Sequence, residues 1–328
     1  MNIAFLGLRH GHIFTLYNEA LNNPYFNICG AYEPNVEARK NAESNGVLCN
    51  YETIEQILED SKVDVIALGG CYGERGEAAI AALNHGKHVI ADKPLCVSRE
   101  ELSRIKKAAE ENNKIVSCMF TMRFEPKING VKRLVESKAL GEINNVYFGG
   151  QHPLQYGRRP MWYFEEGKHG GVINDVAIHG IDVLSYALGL DVENISAARC
   201  WNKFALEEPD FKDSAQLMLK ATNDAGILAD VSYAIPDGVE FALPYYWQFY
   251  IWGTKGTLRF SLGEEKAEYF LAGDAAPHII EEEEPKTDYL TDFYRLIQGE
   301  KDVILPMQDV FNATEKTLEI QEFANKNC

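Results

Sequence analysis

Over its first 120 residues the chain alternates short apolar runs with amphipathic helical stretches, and few folds accommodate that order. Residues 2–6 are apolar and end at Gly7, and a stretch with Ile13, Leu16, Tyr17, Ala20 and Leu21 on one face follows until Asn23 and Pro24 stop it. Residues 26–32 predict a second strand and residues 35–45 a second helix, while Thr53, with Gln56 three residues on, predicts the cap of a third helix ending near Asp60. The pattern then repeats. Residues 63–68 predict a buried strand, 74–85 a helix closed by Gly86, 88–91 a strand, 98–112 a helix capped by Ser98 and Glu101, and 115–120 a last strand. Strands separated by helices pair in parallel through right-handed crossovers, so residues 1–123 are expected to form a doubly wound parallel sheet.

Such sheets bind ligands outside the carboxyl ends of their strands, which directs attention to the turn after the first strand. It reads Gly7, Leu8, Arg9, His10, Gly11, His12, where a Rossmann dinucleotide fingerprint is G-x-G-x-x-G. Gly7 suits the tight turn. Arg9 replaces the second glycine and His12 the third, so the spelling is weak while the placement, at the start of the first helix, suits a phosphate. Glu33 ends the second strand, where a carboxylate accepts hydrogen bonds from an adenosine ribose and disfavours a 2′-phosphate; Arg39 nearby has the opposite leaning. A sheet with a degraded fingerprint that binds no nucleotide accounts for the same residues.

A length of 328 residues fits two domains, and a net charge of −17 without a basic cluster argues against nucleic acid and anionic membranes as partners. A small neutral substrate suits it better. Seven scattered cysteines, never in a C-x-x-C pair, suit reduced thiols; with residues 1–8 a short apolar run that shows no basic leader or small-residue cleavage site, and nowhere about 18 apolar residues in succession, a cytoplasmic protein is expected.

From residue 124 the pattern changes. One helix is expected at 127–137, then β-rich runs at 142–149, 195–203, 214–221, 227–233, 246–252 and 257–261, with turns at 223–226 and 236–238 and closing helices at 287–298 and 308–325. These imply an α+β domain, residues 124–328, around an open and mostly antiparallel sheet. Within it, residues 170–189 read as a helix from Asn174, because Ile178, Ile181, Leu184 and Leu188 recur on one face and Gly189 suits a left-handed C-terminal residue. Asp175 and His179, four apart, then share a face and can address one small molecule. An ordinary core helix capped by Asn174 or Asp175, with His179 in the core, explains the same stretch. Residues 152–164 form a polar and aromatic loop in which Trp162 is a candidate for stacking on a sugar. No metal is expected: of His152, His169, Asp175 and His179, only the last pair has ligand spacing.

Gly86, Lys87, His88 and Val89, followed by Ala91, Asp92, Lys93 and Pro94, resemble the G-K-H-V-x-x-E-K-P signature of the glucose-fructose oxidoreductase, inositol dehydrogenase and rhizopine catabolism (Gfo/Idh/MocA) family of NAD(P)-dependent oxidoreductases. Arg123, Phe124 and Pro126 resemble its R-F-x-P junction, residues 170–189 its G-G-x-x-x-D-x-x-x-H-x-x-D stretch, and residues 253–257 its G-T-K-G-T turn. The resemblance spans most of the chain. It implies an oxidoreductase that moves a hydride between a nicotinamide cofactor, NAD rather than NADP, and a secondary alcohol of a sugar, cyclitol or related polyol. Lys93, Asp175 and His179 match the family's catalytic residues, and with Trp162 they are the expected substrate contacts. Gly7, Arg9, His10, Gly11, His12, Glu33, Arg39, Gly69, Asp92, Lys93 and Arg123 are the expected cofactor contacts. Asp92 departs from the family's glutamate, and Gly69 to Arg75 departs from its T-P-x-x-x-H loop. The resemblance also implies a homodimer or homotetramer through the outer face of the second sheet. Two alternatives use the same scaffold: a lyase or glycosidase-like enzyme with tightly bound NAD, and a sugar or nucleotide sensor without turnover.

Overall fold

A computed structural model of the protein describes every residue except Asp237, Glu240, Ala242 and Cys328. The expected turn at 236–238 therefore includes one residue outside the described ones, and Cys328 also lies outside them. The chain divides into two units: Met1–Phe120 with Pro160–Gly170 and Thr287–Glu315, and Thr121–Arg159 with Gly171–Lys286 and Lys316–Cys328.

The first unit runs β1 (Asn2–Leu8), α1 (His12–Asn22), β2 (Asn27–Tyr32), α2 (Val36–Ser44), α3 (Ile54–Glu59), β3 (Val65–Gly69), α4 (Tyr72–Asn84), β4 (His88–Ala91), α5 (Arg99–Glu111) and β5 (Val116–Cys118). Its strands pair in parallel in the order β2-β1-β3-β4-β5. Every residue of β3 is buried, as befits a strand whose two faces are both covered, which explains the unbroken apolar run. Helix starts are fixed locally. The Asn35 and Thr53 side chains accept N–H groups of Ala38 and Gln56, and Ser98 and Glu101 form a reciprocal capping box. Beyond β2, Ala31 donates its N–H to Leu48 and accepts that of Tyr51, so the segment after α2 extends the sheet edge.

The second unit contains α6 (Pro126–Glu136), β6 (Ile143–Pro153), a π-helical turn (Ile173–Ala177) that runs into α7 (Ile178–Leu188), and then β7 (Val192–Trp201), β8 (Ser214–Ala221), β9 (Gly226–Ile235), β10 (Gln248–Gly253), β11 (Gly256–Ser261), β12 (Glu268–Leu271) and β13 (His278–Ile279). Eight strands form one sheet in the order β13-β12-β11-β10-β6-β9-β8-β7, antiparallel except where β6 meets β9. The short strands β12 and β13 were not expected, because four and two residues carry too little alternation to read.

Side-chain alternation sorts this sheet into two faces. Phe148, Phe249 and Phe260 stand in register on the face that carries α7, and a Cβ on Gly180 would lie 2.3 Å from Phe148, so the helix presses directly on that row. Tyr147 and Tyr250 stand on the opposite face, in register with Leu228 and Met218, which are half exposed. The aromatics of β9, of β10 and of the residues leading into β10 are thereby divided: Tyr233, Trp247 and Phe249 are buried, while Tyr245 and Trp252 are exposed. Residues one apart on a strand face opposite ways, so a run of aromatics cannot all line one surface.

Candidate active site

Order of the strands places β1 between β2 and β3, with crossovers leaving to either side, and ligands of such sheets bind at this reversal. Two turns meet there. Gly7 has φ +78°, and a Cβ on it would lie 2.6 Å from the Gly70 nitrogen, so the turn after β1 lies against the turn after β3. The N–H groups of Arg9 and His10 both donate to the Gly69 carbonyl, at 2.9 and 3.1 Å. A Cβ on Gly69 would meet Ile13 at 2.4 Å, whereas one on Gly11, just before α1, would meet nothing. The first turn of α1 thus begins behind an open glycine, with His12 exposed beside it.

Glu33 is 2% exposed, and its two carboxylate oxygens accept the N–H groups of Leu8 (2.5 Å) and Asn35 (2.8 Å). Burial pushes its carboxyl up, with those two bonds pulling the other way. A carboxylate offers about four acceptor positions, so ribose hydroxyls still find lone pairs there. Arg39 is turned to Glu43, Glu52 and the Cys49 carbonyl, at 2.9 to 3.1 Å. These features fit a dinucleotide: a close-packed glycine turn, an open helix start for the pyrophosphate and an acceptor at the second strand.

Asp92 follows β4 and is fully buried among cations. Arg75 Nη2 donates to its carboxylate at 3.0 Å, His10 Nδ1 is hydrogen-bonded to the same oxygen, and His12 Nδ1 lies 3.3 Å from the other. Burial opposes ionisation of Asp92, but the electrostatic pull of His10 and then of Arg75 and His12, with the hydrogen bond from His10, holds its carboxyl well below the usual range. His10 itself is pushed down to about 4 by burial, against the pull of Asp92. With His10 neutral at pH 7, Arg75 is the standing cation. The network continues from His10 Nε2 to the Tyr72 hydroxyl (3.1 Å) and on to the Tyr163 hydroxyl (2.7 Å). If Nδ1 holds the proton toward Asp92, Tyr72 donates to Nε2 and Tyr163 to Tyr72. Donor atoms of His10, His12 and Asp92 fall within 4.8 Å of one another, but the Arg75 guanidinium already neutralises the carboxylate, and the group reads as an ion-pair cluster.

Lys93, next in the chain, is 4% exposed. Trp162, expected at a sugar, is 1% exposed and packs with Tyr72 and Tyr163, its ring nitrogen 3.4 Å from the Arg9 carbonyl.

In the second unit, Asp175 lies in the π-helical turn and His179 in the first turn of α7. Four residues at the wider π period still return to nearly the same side, so the two remain neighbours on one face. Asn174 is fully buried within this turn, whose N-cap is Val172, and Asp175 takes the hydroxyl hydrogen of Tyr233. The His179 ring stands edge-on to Trp247, centroids 5.7 Å apart. His152, from β6, has Tyr233, Tyr246 and Trp247 around it within 6.5 Å, and Arg159 covers the Tyr233 ring at 5.1 Å. Arg123, assigned from the sequence to the cofactor, is buried in this unit against Asp182, with guanidinium nitrogens 2.7 to 3.0 Å from its carboxylate. A buried guanidinium requires such a partner. Sequence reasoning missed Tyr72, Arg75 and Tyr163 in the first unit and the role of Tyr233 in the second. Arg75 alone left a signal, as the cation ending the aberrant loop at 69–75.

Residues 1–120 match the family model described as an oxidoreductase family with NAD-binding Rossmann fold, and residues 128–259 match the GFO/IDH/MocA C-terminal domain. The chain belongs to the GFO/IDH/MocA family. Among curated members, a scyllo-inositol 2-dehydrogenase (NAD(+)) of Bacillus subtilis is 27% identical over 54% of this chain and 50% of its own length. A levoglucosan dehydrogenase of Pseudarthrobacter phenanthrenivorans is 30% identical over 40% of this chain and 35% of its own. The chain spans about half the length of the first such relatives, 50 to 58%. An NAD-binding protein from Listeria innocua superposes with a TM-score of 0.81 at 21% identity, over 99% of this chain and 95% of that one. That likeness shows the shared fold. The NAD-binding Rossmann model thus covers β1 to β5 of the first unit, and the C-terminal-domain model runs from β6 into β11 of the second.

Proposed function

We propose that this GFO/IDH/MocA protein is an NAD-dependent dehydrogenase of a secondary alcohol on a sugar, cyclitol or related polyol. The observation that carries the reading is the Asp175–His179 pair on one helical face, its carboxylate held by Tyr233 and its imidazole edged by Trp247. NAD, when bound, supplies the hydride acceptor. Gly7, Arg9, Gly11 and His12 receive the pyrophosphate, Glu33 the adenosine ribose, and Gly69, His10 and Asp92 support the nicotinamide half. Glu33 and the engagement of Arg39 with two carboxylates favour NAD over NADP.

Oxidising an alcohol requires its hydroxyl proton to leave, and His179 is the base, since an imidazole accepts a proton near neutral pH. Asp175 orients that imidazole. Lys93 donates to the developing alkoxide. Polyol substrates agree with the names of the relatives, which act on scyllo-inositol and levoglucosan. The half-exposed row of Met218 and Leu228 beside Tyr147 and Tyr250 is the face through which two or four copies assemble. The six described cysteines are all free, which suits a cytoplasmic protein, and no described helix is long and apolar enough to cross a membrane. The test is absorbance at the reduced-nicotinamide band with NAD or NADP over myo-inositol, scyllo-inositol, levoglucosan, aldoses and sugar acids. NAD reduction with at least one is expected; cofactor binding with no turnover of any of them rejects the dehydrogenase.

A further inference from the structure

We propose that Arg75 is a positioning residue for Lys93, fixing the backbone from which that amine projects; this rests on the reading of Lys93 as catalytic. Arg75 sits in the first turn of α4 and is 1% exposed. Its Nη1 lies 2.8 Å from the carbonyl oxygen of Asp92, 2.7 Å from that of Lys93 and 3.1 Å from that of Pro94. Nη2 holds the Asp92 carboxylate at 3.0 Å, and Nε holds the Gly70 carbonyl at 3.0 Å. One guanidinium therefore ties the segment leaving β4 to the turn leaving β3.

Strand β4 ends at Ala91, so the next three carbonyls have passed the last registered residue of the ladder. A buried carbonyl needs a donor, and here one nitrogen faces all three. The chain bends around it. Lysine at this position cannot do the same, because an ammonium is a point charge whereas the guanidinium presents five N–H groups in a fixed plane. The location is costly for a cation. It is buried, and it stands in the first turn of a helix, where the dipole disfavours positive charge. Asp92 and the Tyr72 ring, 4.6 Å below the guanidinium carbon, offset that cost. An apolar side chain would fill the space without that cost but would leave the Lys93 segment unheld.

Arg75→Lys keeps the charge and loses the fork. With NAD saturating and whichever of myo-inositol, scyllo-inositol or levoglucosan is turned over, kcat is expected to fall about 10- to 100-fold, the loss typical of a misplaced catalytic group, with KM and NADH affinity held within about threefold. Guanidinium ion should restore part of the kcat of Arg75→Ala, and methylammonium should not. Hydrogen exchange over residues 91–97 needs no substrate and should accelerate roughly tenfold in Arg75→Lys while β1 stays unchanged. Wild-type exchange in that segment, or wild-type kcat, overturns the proposal. So does loss of cooperative melting in Arg75→Lys, which would assign Arg75 to fold stability alone. Lys93→Met, assayed alongside, separates the two readings. If it turns over normally, the role of Lys93 is wrong; if it is inactive while Arg75→Lys is unimpaired, only the positioning role fails.

Discussion

The phenol of Tyr233, on β9, donates its hydrogen to Oδ2 of Asp175 in the π-helical turn, so the sheet itself holds the carboxylate that precedes His179. Both groups are buried, and a hydrogen bond to a buried charge contributes about 1.5–3 kcal/mol. Tyr233→Phe is expected to lower stability by about that much in urea unfolding, and to reduce turnover more than it changes NADH affinity measured by calorimetry. An equal loss of NADH affinity would show that the carboxylate serves the cofactor instead.

Arg123 and Asp182 make a second buried pair, with each side chain 1% exposed. Removing one partner takes away the opposite charge the other is buried against, so Arg123→Met or Asp182→Leu should each cost about 3–5 kcal/mol, whereas the two replacements together should recover most of it. Urea unfolding of the three variants measures this as a coupling free energy. Additive losses would mean that the two side chains act independently.

Strand and helix alternation made the first sheet legible, because α2, α3 and α5 carry their own caps and the strands their own apolar runs. Asp175, His179, Lys93 and Asp182 were visible through their spacing and the family motifs. Arg123 was visible too, but its pairing was not: Asp182 lies 59 residues on, and nothing local joins the two. Tyr72 and Tyr163, 91 residues apart, meet for the same reason only in three dimensions. Trp162 read as a loop aromatic free to face a ligand, and became core because residues 160–170 join the first unit, a placement that no change of composition announces. The π-helical turn was hidden because its apolar spacing continues into α7 without a break.

His88 accepts the N–H of Ile115 at Nδ1, 3.0 Å away, and burial pushes its imidazole down to about 4. Protonation would forfeit that acceptor. The unfolded chain takes up the proton near pH 6.5 and the folded one near 4, so stability is undiminished above pH 6.5 and is lost as pH falls toward 4. Urea midpoints between pH 7 and 4.5 should fall accordingly. In His88→Gln the slope should be shallower; an unchanged slope would assign the acid sensitivity to other groups, among them His10, which is lowered to about 4 as well.

Arg9 stands where the fingerprint has a glycine, on the turn whose N–H group donates to Gly69. If its guanidinium contacts the pyrophosphate, Arg9→Ala should weaken NADH binding by about 1.5–3 kcal/mol, the value of a charged hydrogen bond. Arg9→Gly should tighten binding only if the side chain obstructs the approach. Glu33→Gln should narrow the preference for NADH over NADPH by removing the charge that repels a 2′-phosphate, and calorimetry with both nucleotides checks all three variants.

Lys93 follows the buried Asp92 at the carboxyl end of β4, and His179 begins α7 four residues after Asp175. An ammonium carries three N–H donors and no acceptor, which suits an electrostatic donor to an alkoxide rather than a base. An imidazole suits the base. Lys93→Met and His179→Ala should each leave NADH affinity nearly intact and cut turnover by two or more orders of magnitude, about the size of a lost acid/base or oxyanion contact. The two variants should differ in pH dependence. Losing the base should remove the acid limb of kcat in whatever activity remains, whereas losing the ammonium should leave that limb in place at a lower plateau. Either variant, folded and loaded with NAD, turning over a polyol at the wild-type rate would falsify the role given to that residue.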